Sequence, residues 1–151
     1  FILNMNPMNK KAILLIAMMT GLTGCVSHQT FNAIVNTQQL PALSKLCIQE
    51  NNAIDPSKEY LSIIVNRFET NKINTQVYAQ QKPSDCKYTL TYDIQKSTDN
   101  VVAISKASLH LFDNGLQIHT AQYNMKNIFV FDKNKAAKDK LEPLVDQLSV
   151  K

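Results

Sequence analysis

Apolar and polar positions alternate most regularly over Cys86 to Ile94. Cys86, Tyr88, Leu90, Tyr92 and Ile94 share one phase, and Lys87, Thr89, Thr91 and Asp93 share the other. A period of two marks a strand with one face buried. Val101 to Phe112 and Leu116 to Tyr123 read as two further strands around Asp113-Asn114-Gly115, because Asn-Gly between alternating apolar runs is the strongest short-range hairpin signal. Two registers stay open there: a two-residue turn at Asn114-Gly115, or a three-residue loop with Gly115 in a bulge. Ile73 to Ala79 alternates with Ile73, Thr75, Val77 and Ala79 on one face, and Leu46-Cys47-Ile48 is a short strand.

The period changes to that of a helix between these strands. Tyr60, Leu61, Ile64, Val65 and Phe68 form one apolar stripe. Asp55-Pro56 supplies a cap and a proline for the first turn, and the helix is expected to end near Asn71-Lys72. A last helix is expected over Lys133 to Leu148, capped by Asp132, with Ala137, Leu141, Leu144, Val145 and Leu148 on its buried face. Pro143 should kink or split it. Asn127 to Phe131 is apolar but carries no period that types it.

The element order predicts an α+β fold: a mainly antiparallel sheet of four or five strands with two helices packed on one face. The first strand, helix and second strand fit a right-handed crossover. This order of elements is similar to that of small envelope lipoproteins that serve as accessory subunits of lipid or polysaccharide export machines.

The amino-terminal pattern is different. Met8-Asn9-Lys10-Lys11 is a basic start, and Ala12 to Met19 is an apolar middle, continued by Thr20-Gly21-Leu22. Such a run is too short to span a bilayer, which takes about 20 apolar residues, but it has the form of a secretory signal. It closes on Leu22, Thr23, Gly24 and Cys25, which resemble the lipobox of bacterial lipoproteins: aliphatic, small, glycine or alanine, cysteine. The resemblance covers positions 8 to 25. It implies that Cys25 receives a diacylglyceryl group, that the lipoprotein signal peptidase cuts before Cys25, and that the new amine is then acylated. The implied partners are membrane lipid through acylated Cys25 and the lipoprotein-processing and sorting machinery; an envelope protein partner is expected separately, from the interaction-module reading below. In such families aspartate after the cysteine favours inner-membrane retention. Here Val26 and Ser27 follow, which directs the expectation to the outer membrane, facing the periplasm. The expected organisation is therefore 1–7 upstream of the true start, 8–24 signal peptide, 25–43 lipid-anchored tether and 44–151 one α+β domain. Within the tether only Phe31, Ile34 and Val35 suggest a short docking segment.

Charge and cysteine count refine this picture. The chain has 16 Lys and Arg against 12 Asp and Glu, and loss of Lys10 and Lys11 with the signal nearly balances it. Arg67 is the only arginine, so no nucleic-acid partner is expected, arginine being the preferred reader of phosphates and bases. With Cys25 committed to lipid, Cys47 and Cys86 remain as a pair in an oxidising compartment and are expected to form a disulfide. If they do, the first and third predicted strands are neighbours and the sheet order is 2-1-3-4-5. One tension remains: Cys86 is in phase with Tyr88 and Leu90, whereas Cys47 alternates against Leu46 and Ile48. A bulge resolves it, or Cys86 precedes the regular strand.

No motif points to catalysis. Gly-x-Ser-x-Gly, phosphate-loop and His-Glu-x-x-His patterns are absent from the sequence. His28 lies in the tether. His110 and His119 lie on the hairpin arms, directly opposed under the two-residue turn; Asp113 is near but can approach only at the turn, and no fourth candidate accompanies them, where zinc takes three or four ligands. They read as polar residues on a solvated sheet face. Asp132, Asp139, Glu142 and Asp146 read as a solvated helix face, and Lys126, Lys133, Lys135, Lys138 and Lys140 as its cationic complement. Tyr88 and Tyr92 read as core. The expectation is a non-enzymatic interaction or assembly module, without cofactor or metal. The alternatives are a lipid- or solute-binding module and an envelope hydrolase with an unrecognised site.

Overall fold

The computed structural model describes residues 39–97, 103–125 and 136–149, and the backbone of residues 30–35. The elements are β1 (Thr30–Val35), β2 (Lys45–Gln49), α1 (Glu59–Thr70), β3 (Asn74–Tyr78), β4 (Tyr88–Lys96), β5 (Ile104–Asp113), β6 (Leu116–Asn124) and α2 (Ala137–Leu148). The strands form one sheet in the order β1-β6-β5-β4-β2-β3. β2 pairs parallel with both β3 and β4, and the other pairs are antiparallel. The fold is α+β as expected, and the five expected strands stand in the expected order. The sheet is mixed, because the crossover β2-α1-β3 makes β3 parallel to β2. A sixth strand extends it: β1 lies within 25–43, the stretch read as tether, and adds to the free edge of β6. The weak pattern around Phe31, Ile34 and Val35 gave no sustained period by which to foresee it.

α1 buries Tyr60, Leu61, Ile64 and Phe68 against the sheet. Its start is later than Asp55-Pro56 suggests, yet Asp55 still caps it. Lys58 occupies the cap position with φ 58°, and its side chain makes no capping bond to the helix. The Asp55 carboxylate reaches over the intervening turn, and its Oδ2 accepts the Leu61 N–H at 2.9 Å. That satisfies one of the amides a helix leaves unpaired in its first turn. The other end closes as expected at Asn71. Lys72 turns left-handed at φ 67°, its N–H donates to Glu69 O, and the Ile73 N–H donates to Phe68 O. This pair of bonds with an apolar residue after them is the Schellman stop.

β2 is the most enclosed strand, with Leu46, Cys47 and Ile48 all buried. Leu46 and Ile48 join Leu90, Tyr92, Leu109, Ala121 and Tyr123 in the core beneath the helices. α2 adds Leu141, Leu144, Val145 and Leu148. It runs through Pro143 as one 12-residue helix rather than splitting. The expected cap Asp132 lies outside the described residues.

Candidate functional site

The lipobox positions Leu22, Thr23, Gly24 and Cys25 lie outside the described residues, as does His28. The described chain begins at Thr30, five residues beyond Cys25.

Cys47 and Cys86 form a disulfide, with Cα atoms 5.9 Å apart, inside the normal range. The phase tension resolves simply: Cys86 precedes β4, so the strand alternation does not bind it. Cys47 points to the face away from the helices, and Cys86 covers it there. The bond encloses the end of β2, all of α1 and β3, and ties the start of the crossover to the start of β4.

The hairpin takes the two-residue turn, with Asp113 paired to Leu116 and Asn114 and Gly115 at positive φ. The two histidines nevertheless do not oppose each other. The register slips by one between Leu111 and Phe112, so Leu111 faces His119 and His110 faces Thr120. A bulge at Ile118 puts an extra residue in β6 and inverts its phase beyond that point. His119 therefore turns to the helix side, is only 5% exposed, and its Nε2 has no hydrogen-bond partner among the described residues. The expectation that both rings lie on a solvated face is thus corrected for His119.

His110 stays on the open face and is half-buried. Its Nδ1 pairs with Thr120 Oγ1 at 3.0 Å, which also accepts the Gln117 amide at 2.9 Å. Its Nε2 lies 3.8 Å from Asp93 Oδ2. Asp93 and His110 edge a groove of about 480 Å³ that is also lined by Ile54, Ile94, Lys106, Ser108 and Gln122. The row of carboxylate, imidazole and hydroxyl has the residue types of a nucleophilic triad, but its geometry opposes that chemistry. Thr120 is 5% exposed, its oxygen is already engaged by two partners, and the Asp93 contact exceeds hydrogen-bond length. It can hold a polar solute more readily than attack one. Among the described residues no group of three or more His, Cys, Asp or Glu is placed to hold a metal.

The charged residues of the helical layer are more structural than the spacing suggests. Arg67 clamps α1 to α2. Its Nε and Nη2 donate to the two Asp146 oxygens at 2.7 and 2.6 Å, and Asn71 donates to Asp146 Oδ1 at 2.9 Å. Glu142 lies 3.8 Å from Arg67 Nη1. The Arg67 bonds hold the Asp146 carboxyl below its usual range, and Asp146 raises Arg67 in turn. Glu142 and Asp146 are therefore tied into a clamp rather than merely solvated. Lys138 pairs with Glu142 at 3.6 Å. Lys140 leaves the cationic face altogether: it is 1% exposed, donates to Ile104 O at 3.0 Å and lies over the Tyr123 ring. Lys126, Lys133 and Lys135 lie outside the described residues.

Tyr88 and Tyr92 pack into the core as expected. Tyr92 does more. Its hydroxyl accepts the Asn51 N–H at 3.2 Å and donates to Asp55 Oδ2 at 3.4 Å. Burial raises its pKa, and the Asn51 bond opposes that. Sequence reading missed this knot of Asn51, Asp55 and Tyr92. The only signal was the aspartate ahead of the apolar stripe.

No protein-family model matches the chain. No curated protein matches it. Among solved structures it is similar to the PelC dodecamer from Paraburkholderia phytofirmans, with a TM-score of 0.54 and 14% identity over 82% of this chain and 99% of that one. At that identity the likeness is one of fold.

Proposed function

We propose that the chain is an outer-membrane lipoprotein, anchored through an acylated Cys25 and facing the periplasm. It works there as an interaction and assembly module with no catalysis of its own. The observation that carries this reading is the run from Lys10-Lys11 through an apolar stretch to Leu22-Thr23-Gly24-Cys25. Two or three acyl chains on one cysteine, at about 0.8 kcal/mol per buried CH₂, make a lasting tether, where one chain binds marginally. The Cys47–Cys86 bond is in keeping with an oxidising compartment. The fold shared with a protein solved as a dodecamer supports an assembly role. Mass spectrometry of the mature protein tests the anchor: a lipidated amino-terminal Cys25 is expected, and a free Cys25 thiol refutes it. Cys25→Ala should accumulate as an uncleaved, mislocalised precursor.

One observation favours the solute-binding alternative, the groove beside His110. Its carboxylate, amine, hydroxyl and amide groups, beside Ile54 and Ile94, suit a small solute with both polar and apolar parts. A ligand whose thermal stabilisation of the protein disappears in an Asp93→Asn, His110→Ala variant would favour that reading.

A further inference from the structure

Among the described residues, the two edges of the sheet are open in the same way. β3 pairs only with β2. The Asn74 N–H donates to Ser44 O at 3.0 Å, and the Glu50 N–H donates to Tyr78 O at 2.9 Å. Direction alternates along a parallel ladder, so the backbone groups of Asn74, Gln76 and Tyr78 face β2. Those of Thr75 and Val77 face outward. Natural edges are blunted by charge, proline or a bulge. The stretch Asn74–Tyr78 contains no charged residue and no proline, its register is unbroken, and Val77 is 43% exposed. At the other edge β1 pairs only with β6. Thr30–Val35 is equally free of charge and proline, and its register is also unbroken.

Strand direction makes these edges complementary. β3 runs with β2 and β4, and β6 runs the same way through two antiparallel pairings, so β1 runs opposite to β3. A second copy rotated about an axis along the strands presents its β1 antiparallel to β3. The anchor promotes that arrangement. Five residues from Cys25 to Thr30 span at most about 18 Å, so anchored copies hold β1 near one membrane face and share an orientation.

We infer that copies of this chain join edge to edge, β3 of one to β1 of the next, as a continuous antiparallel sheet. The shared orientation rests on the anchored reading above; the edge complementarity does not. The contact is head-to-tail, so every pairing leaves one β3 and one β1 free, and growth stops only when a ring closes.

The test places a benzophenone amino acid at position 76 of the full-length chain, irradiates intact cells and maps the linked peptides. The expected product joins position 76 to residues 30–35 of another copy, in a ladder of multiples. A link to β3 of a second copy, to a different protein, or no link overturns the inference, whatever the state of Cys25. Mass analysis of Cys25 in the same sample tests the anchor separately, so the two failures are distinguishable. Val77→Pro removes an outward N–H without touching the β2 ladder, and Val77→Lys adds an edge charge. With a near-normal melting temperature, either variant should lose the ladder. Persistence of the ladder in a folded variant overturns the pairing.

Discussion

At the scale of single residues, burial decides what a polar side chain is for. His110 and His119 have the same chemistry and neighbouring strands, yet one faces solvent and the other the core. His119→Ala should cost about 2 kcal/mol in urea unfolding, as a large-to-small change at a buried site. His110→Ala gives up one partly exposed bond and should cost under about 1 kcal/mol. Equal costs would contradict the inverted phase beyond Ile118. Asp55 is a second case. It is 2% exposed and holds the Leu61 amide. Asp55→Ala should destabilise by about 1–2 kcal/mol, the range for a lost helix cap, while Asp55→Asn, which keeps an acceptor oxygen, should recover most of it.

At the scale of elements, α1 offers two tests. Lys72 pays for a left-handed backbone that glycine adopts freely. Lys72→Gly should stabilise by about 0.5 kcal/mol, the relieved strain exceeding the added freedom of the unfolded chain. The clamp between α1 and α2 gives a pH dependence. Hydrogen bonding to Arg67 lowers the Asp146 pKa in the fold. Its contribution is therefore full above the unfolded carboxylate value of about 3.9 and is lost as pH falls through the lower folded value. Asp146→Asn should flatten this acid limb of the stability curve while leaving the neutral-pH fold intact. These elements also mark where sequence could and could not be read. The stripe Tyr60 to Phe68 and the alternation Tyr88 to Ile94 were legible because one periodic face meets one core. The bulge at Ile118 has no signature in residue type, since it is set by how two strands settle against shared neighbours. Lys140 reads as a surface charge, because nothing in its neighbours along the chain announces the Ile104 carbonyl that receives it.

For the whole molecule, the disulfide carries the topology. Pairing Cys47 with Cys86 makes β2 and β4 neighbours, and the rest of the strand order follows from short connections. β1 escaped that logic, because its place depends on an open edge formed by residues nearly 90 positions away in the chain. The bond spans a sequence separation of 39. Reduction, or serine at both positions, should lower stability by about 4 kcal/mol by chain entropy, read as a shift in denaturation midpoint. A midpoint unmoved by reductant would show that the bond adds nothing to the fold.

β1 also sets how the molecule answers to force. If Cys25 is fixed in a membrane, tension enters the domain at Thr30 and meets β1 first. In a lone copy that strand is gripped along one edge only, by β6, so a pull on the lipid strips it while the disulfide-bound remainder holds. In a closed ring the same strand is gripped on both sides, by its own β6 and by β3 of the next copy. Load on one tether then spreads around the circle, and an edge strand of the isolated domain becomes a shared hoop.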